Sequence, residues 1–177
     1  MGPKFRGCKP ATLISAMVVL TLVLGGCKPK LASQQLTSAQ RQLAAELRDV
    51  TKTYLESHLG VAGFGGKSFC AYKVMELDQS EERLREFVYA VCQEYYLKNG
   101  VVEEGTGLGL PVVLTLRRTG LMYQVVGHQT PGDGGQYSRD VERLFPKQTH
   151  REIFEAGPNY TAWKDEVAGE ARKYFGK

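Results

Sequence analysis

The sequence predicts an α+β fold in which a long N-terminal helix packs on a curved antiparallel sheet of about four strands. Apolar residues recur every three or four positions over residues 43–54, which is the period of an amphipathic helix. The apolar period then changes to two over residues 67–97 and again over residues 110–129, which predicts two β-hairpins. After residue 138 the helical period returns, so short helices are expected at the C-terminus.

The N-terminal segment has the layout of an export signal. Lys4, Arg6 and Lys9 precede an uncharged apolar run over residues 11–24. A basic segment, an apolar segment and small residues before a cleavage site define a secretory signal peptide. The apolar run has 14 residues, whereas a helix that spans a bilayer needs about 20.

The signal ends in Leu24, Gly25, Gly26 and Cys27. This ending resembles the lipobox of bacterial lipoproteins, in which a leucine stands three residues before a cysteine and small residues stand between them. The resemblance implies that the Cys27 thiol carries a diacylglycerol and that cleavage after Gly26 makes Cys27 the N-terminus. Two or three acyl chains anchor a protein stably, since each buried methylene contributes about 0.8 kcal/mol. An uncleaved signal anchor is the alternative, because residues 10–27 are uncharged.

The expected organisation has three parts. Residues 1–26 form the cleaved signal, residues 27–36 form the lipidated cysteine and a polar tether, and residues 37–177 form one globular domain. Residues 28–35 of the tether reach at most about 28 Å when extended. The domain is therefore expected close to the extracytoplasmic face of a cell membrane, lipid-anchored in the bilayer through Cys27.

The charge of the chain comes mostly from its signal. The whole sequence has 23 basic and 19 acidic residues, a net charge of +4. Without Lys4, Arg6 and Lys9 the balance is 20 against 19. No basic cluster remains that suits a phosphate backbone, so nucleic acid is excluded as a partner.

The first helix of the domain has a clear start. Thr37 and Gln40 have the spacing of a capping box. Leu43, Leu47 and Tyr54 then lie on one apolar stripe, which predicts a helix packed against the core.

Two glycine-rich segments match nucleotide-binding motifs only superficially. Residues 63–68, Gly-Phe-Gly-Gly-Lys-Ser, lack the first glycine of a phosphate loop, because that position holds Val61. The segment also lies between a helix and a strand, so a flexible connection is predicted. Residues 105–109, Gly-Thr-Gly-Leu-Gly, precede a strand rather than a helix, so a mobile loop is predicted instead of a dinucleotide site.

The first hairpin places two cysteines side by side. Its second strand is apolar on both faces, which is typical of an internal strand in a covered sheet. With a turn centred on Glu81, Cys70 lies opposite Cys92, at the spacing that a cross-strand disulfide requires. A structural disulfide between Cys70 and Cys92 is therefore predicted, with two buried free thiols as the alternative.

The second hairpin determines where His128 lies. A turn at Thr119 and Gly120 places Leu116 opposite Tyr123 on the core face. This register puts His128 on the mixed, partly polar face, where a solvated edge is favoured over a cleft.

No metal or other cofactor is predicted. Asp133 lies between glycines, but the Asp-x-Asp-x-Asp-Gly spacing of a calcium loop is absent, so its carboxylate is expected to bond its own turn. His58, His128 and His150 are scattered and have no metal-ligand spacing.

The order of elements resembles that of cystatin-like and NTF2-like α+β domains, with a long helix before a strand meander. A final apolar stripe from Trp163 to Tyr174 is expected to cover the sheet face that the first helix leaves open. Such folds carry many functions, so the resemblance implies no particular activity.

Two classes of function follow. The first is a non-catalytic binding or structural role in the cell envelope, in which a sheet edge, residues 105–109 or the Asp133 turn binds a protein, a peptide or a cell-wall component. The alternative is a small-molecule-binding cup or envelope enzyme of NTF2-like fold, with Glu94, Tyr96 and His128 as polar wall residues. Binding is favoured because the sequence has no hydrolase or zinc-protease motif, and no catalytic residue is assigned.

Overall fold

The computed structural model describes residues 35–80, 83–155 and 160–176, and it shows an α+β domain. Four strands form one antiparallel sheet in the order β1-β2-β3-β4, which confirms the predicted fold class in its coarse form. The signal segment and Cys27 lie outside the described residues. The elements are α1 (Ser38–His58), β1 (Lys67–Gln79), β2 (Leu84–Lys98), β3 (Val101–Thr119), β4 (Met122–Gln129), α2 (Tyr137–Leu144), α3 (His150–Phe154) and α4 (Tyr160–Tyr174), with short 3-10 turns at Gly134–Gln136 and Lys147–Thr149.

Helix α1 begins with the predicted capping box. The Thr37 hydroxyl accepts the backbone N–H of Gln40 at 3.2 Å, and the Gln40 side-chain oxygen accepts that of Thr37 at 2.9 Å. These bonds satisfy donors that the start of a helix leaves without intrahelical partners. Leu47 and Leu55 are fully buried, so the helix packs on the sheet along its apolar stripe.

Helix α1 runs antiparallel to β1. The side-chain amide of Gln40, in the first turn of the helix, donates to the carbonyl of Leu77 at 3.0 Å. Near the other end of the helix, Glu56 accepts the backbone N–H of Cys70 at 3.3 Å. The start of α1 therefore lies beside the end of β1, and the connection to β1 lies at the opposite end of the domain.

Helices cover both faces of the sheet. Strand β2 places Val88 in the core cluster under α1 and Phe87 in a second cluster that includes residues of α2 and α3. Val167 and Ala171 of α4 pack with Phe69 of β1 in a third cluster. Strand β2 is thus an internal strand with apolar residues on both faces, as its sequence predicts, and α4 covers the face that α1 leaves open.

The predicted register of the first hairpin is confirmed from Lys67 to Val74, and a bulge at Met75 shifts it by one residue toward the turn. Cys70 pairs with Cys92, and the same register extends from the Lys67 pair at one end of β1 to Val74. The two sulfur atoms lie 2.02 Å apart, which is the distance of a disulfide bond.

Residues 105–109 lie inside β3, so the prediction of a mobile loop was wrong. Gly107 pairs with Gln93 and Gly109 pairs with Val91. A Cβ on Gly107 would collide with the side chain of Gln93, which lies against the glycine. These glycines therefore allow the strand to approach the side chains of β2, and they do not loosen the chain.

The second hairpin turns at Gly120 and Leu121, and its register differs by two residues from the predicted one. Leu116 pairs with Val125 rather than with Tyr123. Gly120 has a φ of 64°, a conformation that suits the first central position of a tight two-residue turn. Because side chains alternate with a period of two, this slip leaves Tyr123 and Val125 on the predicted core face.

His128 lies on the α1 face of the sheet, which corrects its prediction on the mixed face. Val125 and Gly127 pair with neighbouring residues of β3, so Val126 between them is an extra, bulged residue. One extra residue reverses the alternation of side chains beyond it. His128 consequently pairs with the core residue Leu114.

Candidate functional site

Glu94 lies fully buried near the end of β2, where it binds backbone N–H groups from two other segments. One carboxylate oxygen accepts the N–H groups of Phe64 and Gly66 at 2.9 and 2.8 Å, and the other accepts that of Thr106 at 3.1 Å. The exposed fraction of Glu94 is 0%. This one side chain therefore fixes the α1–β1 connection, residues 59–66, against β3.

Glycines permit this close approach of backbone and carboxylate. A Cβ on Gly105 would lie 2.5 Å from the Glu94 Oε2 atom, and a Cβ on Gly63 would lie 2.7 Å from Oγ1 of Thr106. A Cβ on Gly66 would collide with the backbone of β2. The segment that resembles a phosphate loop does bind an anion, but that anion is the Glu94 carboxylate of the same chain.

The local electrostatics keep Glu94 ionised and bound to the backbone. Burial is the largest single influence and raises its pKa, but the backbone N–H groups of Gly66, Thr106 and Phe64 together hold the pKa below its ordinary value. The carboxylate is therefore ionised at neutral pH with both oxygens occupied. A general base must reach the proton of a substrate, and this group is closed off from one.

An aromatic pair lies at the surface beside the Glu94 carboxylate. Phe64 is 63% exposed and stacks on Tyr96, with ring centroids 5.3 Å apart. The Tyr96 hydroxyl donates to Glu103 at 2.9 Å, and this hydrogen bond is the largest of the influences that raise the pKa of Tyr96. Val61, on the same connection as Phe64, is 49% exposed. We call Val61, Phe64 and Tyr96 the distal patch.

A second polar cluster lies in a groove between α1 and β4. The Tyr54 hydroxyl lies 2.9 Å from Nδ1 of His128, and the Tyr54 ring stacks on His58 with centroids 3.9 Å apart. Burial, and then the nearby His58, lower the pKa of His128. The groove itself has a volume of about 480 Å³ and is lined by residues of α1 that include Asp49, Tyr54 and His58, and by Gln124 of β4.

The structure separates residues that the sequence grouped as one polar wall. His128 lies in the same row of the sheet as Glu86 of β2, and Glu94 lies eight residues further along β2, about 26 Å away. Asp133 is exposed at the start of the 3-10 turn that follows β4, and its side chain makes no capping bond there. Glu94 and Tyr96 thus share one site, to which His128 and Asp133 do not belong.

Sequence reasoning missed Phe64 and Thr106, whose backbone N–H groups complete the Glu94 site. One signal was available, because a charged residue in an internal, otherwise apolar strand needs buried partners. The glycine-rich segments at residues 63–66 and 105–109 supply backbone groups that can come close to a carboxylate. The sequence does not connect either segment with Glu94, because its pattern predicts loose chain for both.

Among residues 35–80, 83–155 and 160–176, no group of three or more His, Cys, Asp or Glu side chains is arranged to hold a metal ion. In the same part of the chain, no helix combines the length and the apolar character needed to cross a bilayer. Comparison with protein-family models, curated proteins and solved structures found no match.

Proposed function

We propose that this chain is a membrane-anchored extracytoplasmic lipoprotein that binds an envelope partner through the distal patch, in a non-catalytic role. One observation carries the proposal: Phe64 is 63% exposed, while its own backbone N–H is held by the buried carboxylate of Glu94. Exposed aromatic side chains dominate many protein interfaces, and a backbone that is already ordered loses little entropy on binding. An exposed ring on an ordered backbone therefore supports a preorganised surface that binds a protein or a peptide.

The position of the distal patch supports a partner outside the bilayer. Helix α1 has 21 residues and is about 32 Å long. The tether enters the domain at the start of α1, whereas Phe64 follows its end. Because residues 28–35 reach at most about 28 Å, an anchor at Cys27 keeps the start of α1 near the membrane, and the distal patch lies at the other end of α1.

The finer fold prediction belongs to the same proposal. We infer that the sheet curves around α1 as it does in cystatin-like and NTF2-like domains, and the order of one helix before a four-stranded meander supports this. The occupied carboxylate of Glu94 favours the binding role over the enzyme alternative, since a wall residue of a catalytic cup has to face its substrate.

Photo-crosslinking in cells tests the binding surface. A photoreactive amino acid replaces Phe64 in the full chain, and a second variant carries it in place of Phe154, an exposed phenylalanine of α3 at 51% exposure. We expect a discrete adduct from position 64 that is absent from position 154. The adduct should weaken when Tyr96→Ala removes the stacking partner. Identical adducts from both positions, or none from position 64, contradict the proposal.

The groove between α1 and β4 supports a second candidate, a small-molecule-binding function. Its volume of about 480 Å³ falls in the range of about 300–1,000 Å³ that is usual for ligand pockets. Tyr54 and His58 supply an aromatic and polar lining. A ligand-induced rise in melting temperature that His58→Ala removes and Phe64→Ala leaves intact supports this candidate over the distal patch.

A further inference from the structure

We propose that the tip of the β3–β4 hairpin is a membrane-contact site in the bilayer that holds the Cys27 anchor. Leu121 and Met122 reach the boundary of the acyl chains, while Arg117 and Arg118 bind lipid phosphates. The inference rests on the proposed function, because it requires lipid on Cys27. It adds a second, non-covalent contact that fixes the orientation of the domain.

The apex of the hairpin is apolar and uncovered by its own domain. Leu121 is 91% exposed and Met122 is 74% exposed, the highest values among the large apolar residues that the structure describes. The turn begins at Gly120 with a positive φ, so the apex is a tight hairpin turn rather than a loose loop. Covering these two side chains with an apolar phase is favourable, and nothing within the described domain does so.

Basic and aromatic side chains stand directly behind this apex. Arg118 donates from Nε to the Gly120 carbonyl at 3.2 Å, and its guanidinium lies 6.0 Å from the centre of the Tyr123 ring. Neither Arg117 nor Arg118 forms an ion pair with any residue that the structure describes.

The charge of the hairpin is complementary to an anionic lipid surface. The sequence contains no Asp or Glu from residue 105 to residue 132, so nothing on the hairpin neutralises the two arginines. Leu121 and Met122 lie at the tip, and Tyr123, paired with Arg118, lies directly behind them, which matches an apolar boundary below aromatic and basic contacts to headgroups.

The hairpin projects toward the end of the domain where the tether enters. The first turn of α1 is fixed by the bond from Gln40 to Leu77, and the row of the sheet that contains Leu77 also contains Leu114. Strand β3 continues five residues beyond Leu114 before it turns, about 17 Å past that row. A tether with a reach of at most about 28 Å therefore allows the tip and Cys27 to meet the same bilayer.

A single fluorescent label on the processed, full-length chain tests the contact. With Cys27 lipidated and Cys70 bonded to Cys92, Met122→Cys introduces the sole free thiol of the mature chain. The matched control is Val101→Cys, an apolar residue with 60% exposure beside the turn at the opposite end of the sheet. Each variant carries an environment-sensitive fluorophore and is reconstituted into vesicles of phosphatidylcholine and phosphatidylglycerol, where quenching by iodide is measured.

We expect the label at position 122 to emit at shorter wavelength and to be quenched several-fold less than the label at position 101. Replacing Arg117 and Arg118 with Gln should reduce this protection to the level seen on vesicles of phosphatidylcholine alone. The mass of the N-terminal peptide is measured on the same samples, so that the lipid on Cys27 is tested separately.

Equal quenching at both positions on a chain with lipidated Cys27 overturns the hairpin contact and leaves the proposed function intact. An unmodified Cys27 overturns both. Protection at position 122 that follows protein density on the vesicle, and not lipid composition, assigns the apex to a second copy of the chain and also overturns the membrane contact.

Discussion

Replacing Glu86 with Gln is expected to stabilise the domain at neutral and higher pH and to change its stability little near pH 4.5. Glu86 has an exposed fraction of 0% and lies under α1. One carboxyl oxygen accepts the Thr51 hydroxyl at 2.5 Å, and the other has no hydrogen-bond partner in the described part of the chain. Burial therefore dominates and raises the pKa of Glu86 from 4.5 to about 7, against the smaller lowering by Thr51.

The sign of the pH dependence follows from this raised pKa. The unfolded chain releases the Glu86 proton near pH 4.5, whereas the folded domain keeps it until about pH 7. Between these values the folded state binds more protons, so its stability falls as the pH rises and levels off above the window. At about 1.4 kcal/mol per pKa unit, the rise from 4.5 to about 7 corresponds to a loss of at most about 3.5 kcal/mol.

Urea unfolding measures this loss, with the fluorescence of Trp163, the one tryptophan of the chain, as the probe. The free energy of unfolding of the wild type should fall relative to that of Glu86→Gln, until the variant is more stable by up to about 3.5 kcal/mol at pH 8. Glu94→Gln is the matched control, for which the change in the free energy of unfolding has the opposite sign. Because the pKa of Glu94 is lowered, its ionised form stabilises the fold, and the variant should be less stable than the wild type at neutral pH. Curves of the free energy of unfolding against pH that run parallel for wild type and Glu86→Gln would contradict the raised pKa of Glu86.

Three further results are expected. Gly105→Ala should lower the free energy of unfolding by about 1–3 kcal/mol, because its Cβ meets the Glu94 carboxylate at 2.5 Å; Gly127→Ala, whose Cβ has open space, should be nearly neutral in the same urea titration. Thiol titration of the unfolded, unreduced mature protein should find no free thiol at Cys70 or Cys92. Reduction should lower the free energy of unfolding by about 3 kcal/mol, because the two cysteines are 22 residues apart in the sequence. Two reactive thiols contradict the disulfide. Phe64→Ala should abolish partner binding in a pull-down with the crosslinked partner while changing the free energy of unfolding by less than about 0.5 kcal/mol, since the side chain is exposed; a large loss of stability argues instead for a packing role.

Local signals in the sequence predicted the first half of the fold well. Thr37 and Gln40 contact each other within one turn, so their spacing alone identifies the start of α1. The spacing of the two cysteines about the polar turn predicts the pairing of Cys70 with Cys92, which the structure shows. An extra residue, Met75, shifts the register by one between the cysteines and the turn, and the apolar pattern does not mark it.

The second hairpin shows where such signals fail. Its register depends on which residues occupy the central positions of the turn, and Gly120 fits more than one turn type. The bulge at Val126 leaves no mark in the apolar pattern, yet it moves His128 to the other face of the sheet. A one-residue irregularity therefore brings His128 to the face on which it meets Tyr54, while the side chain stays exposed to solvent.

The sequence predicts Glu94 as a polar wall residue of a cup. It does not predict that Glu94 binds backbone N–H groups of two other segments. Its partners are backbone N–H groups of residues far away in the chain, and the identity of a residue does not reveal which N–H groups a fold leaves available. Glycines at Gly66 and Gly105 marked the places where backbone approaches closely, but their meaning depended on the position of Glu94.

Whether lipid on Cys27 anchors the domain is decided by the mass of the N-terminal peptide of the protein taken from membranes. We expect a mature chain that begins at Cys27 and carries a diacylglycerol on its thiol, and a Cys27→Ala variant that is no longer processed in this way. A chain that keeps residues 1–26 with an unmodified Cys27, or a Cys27→Ala variant processed and retained in membranes as the wild type is, contradicts this expectation.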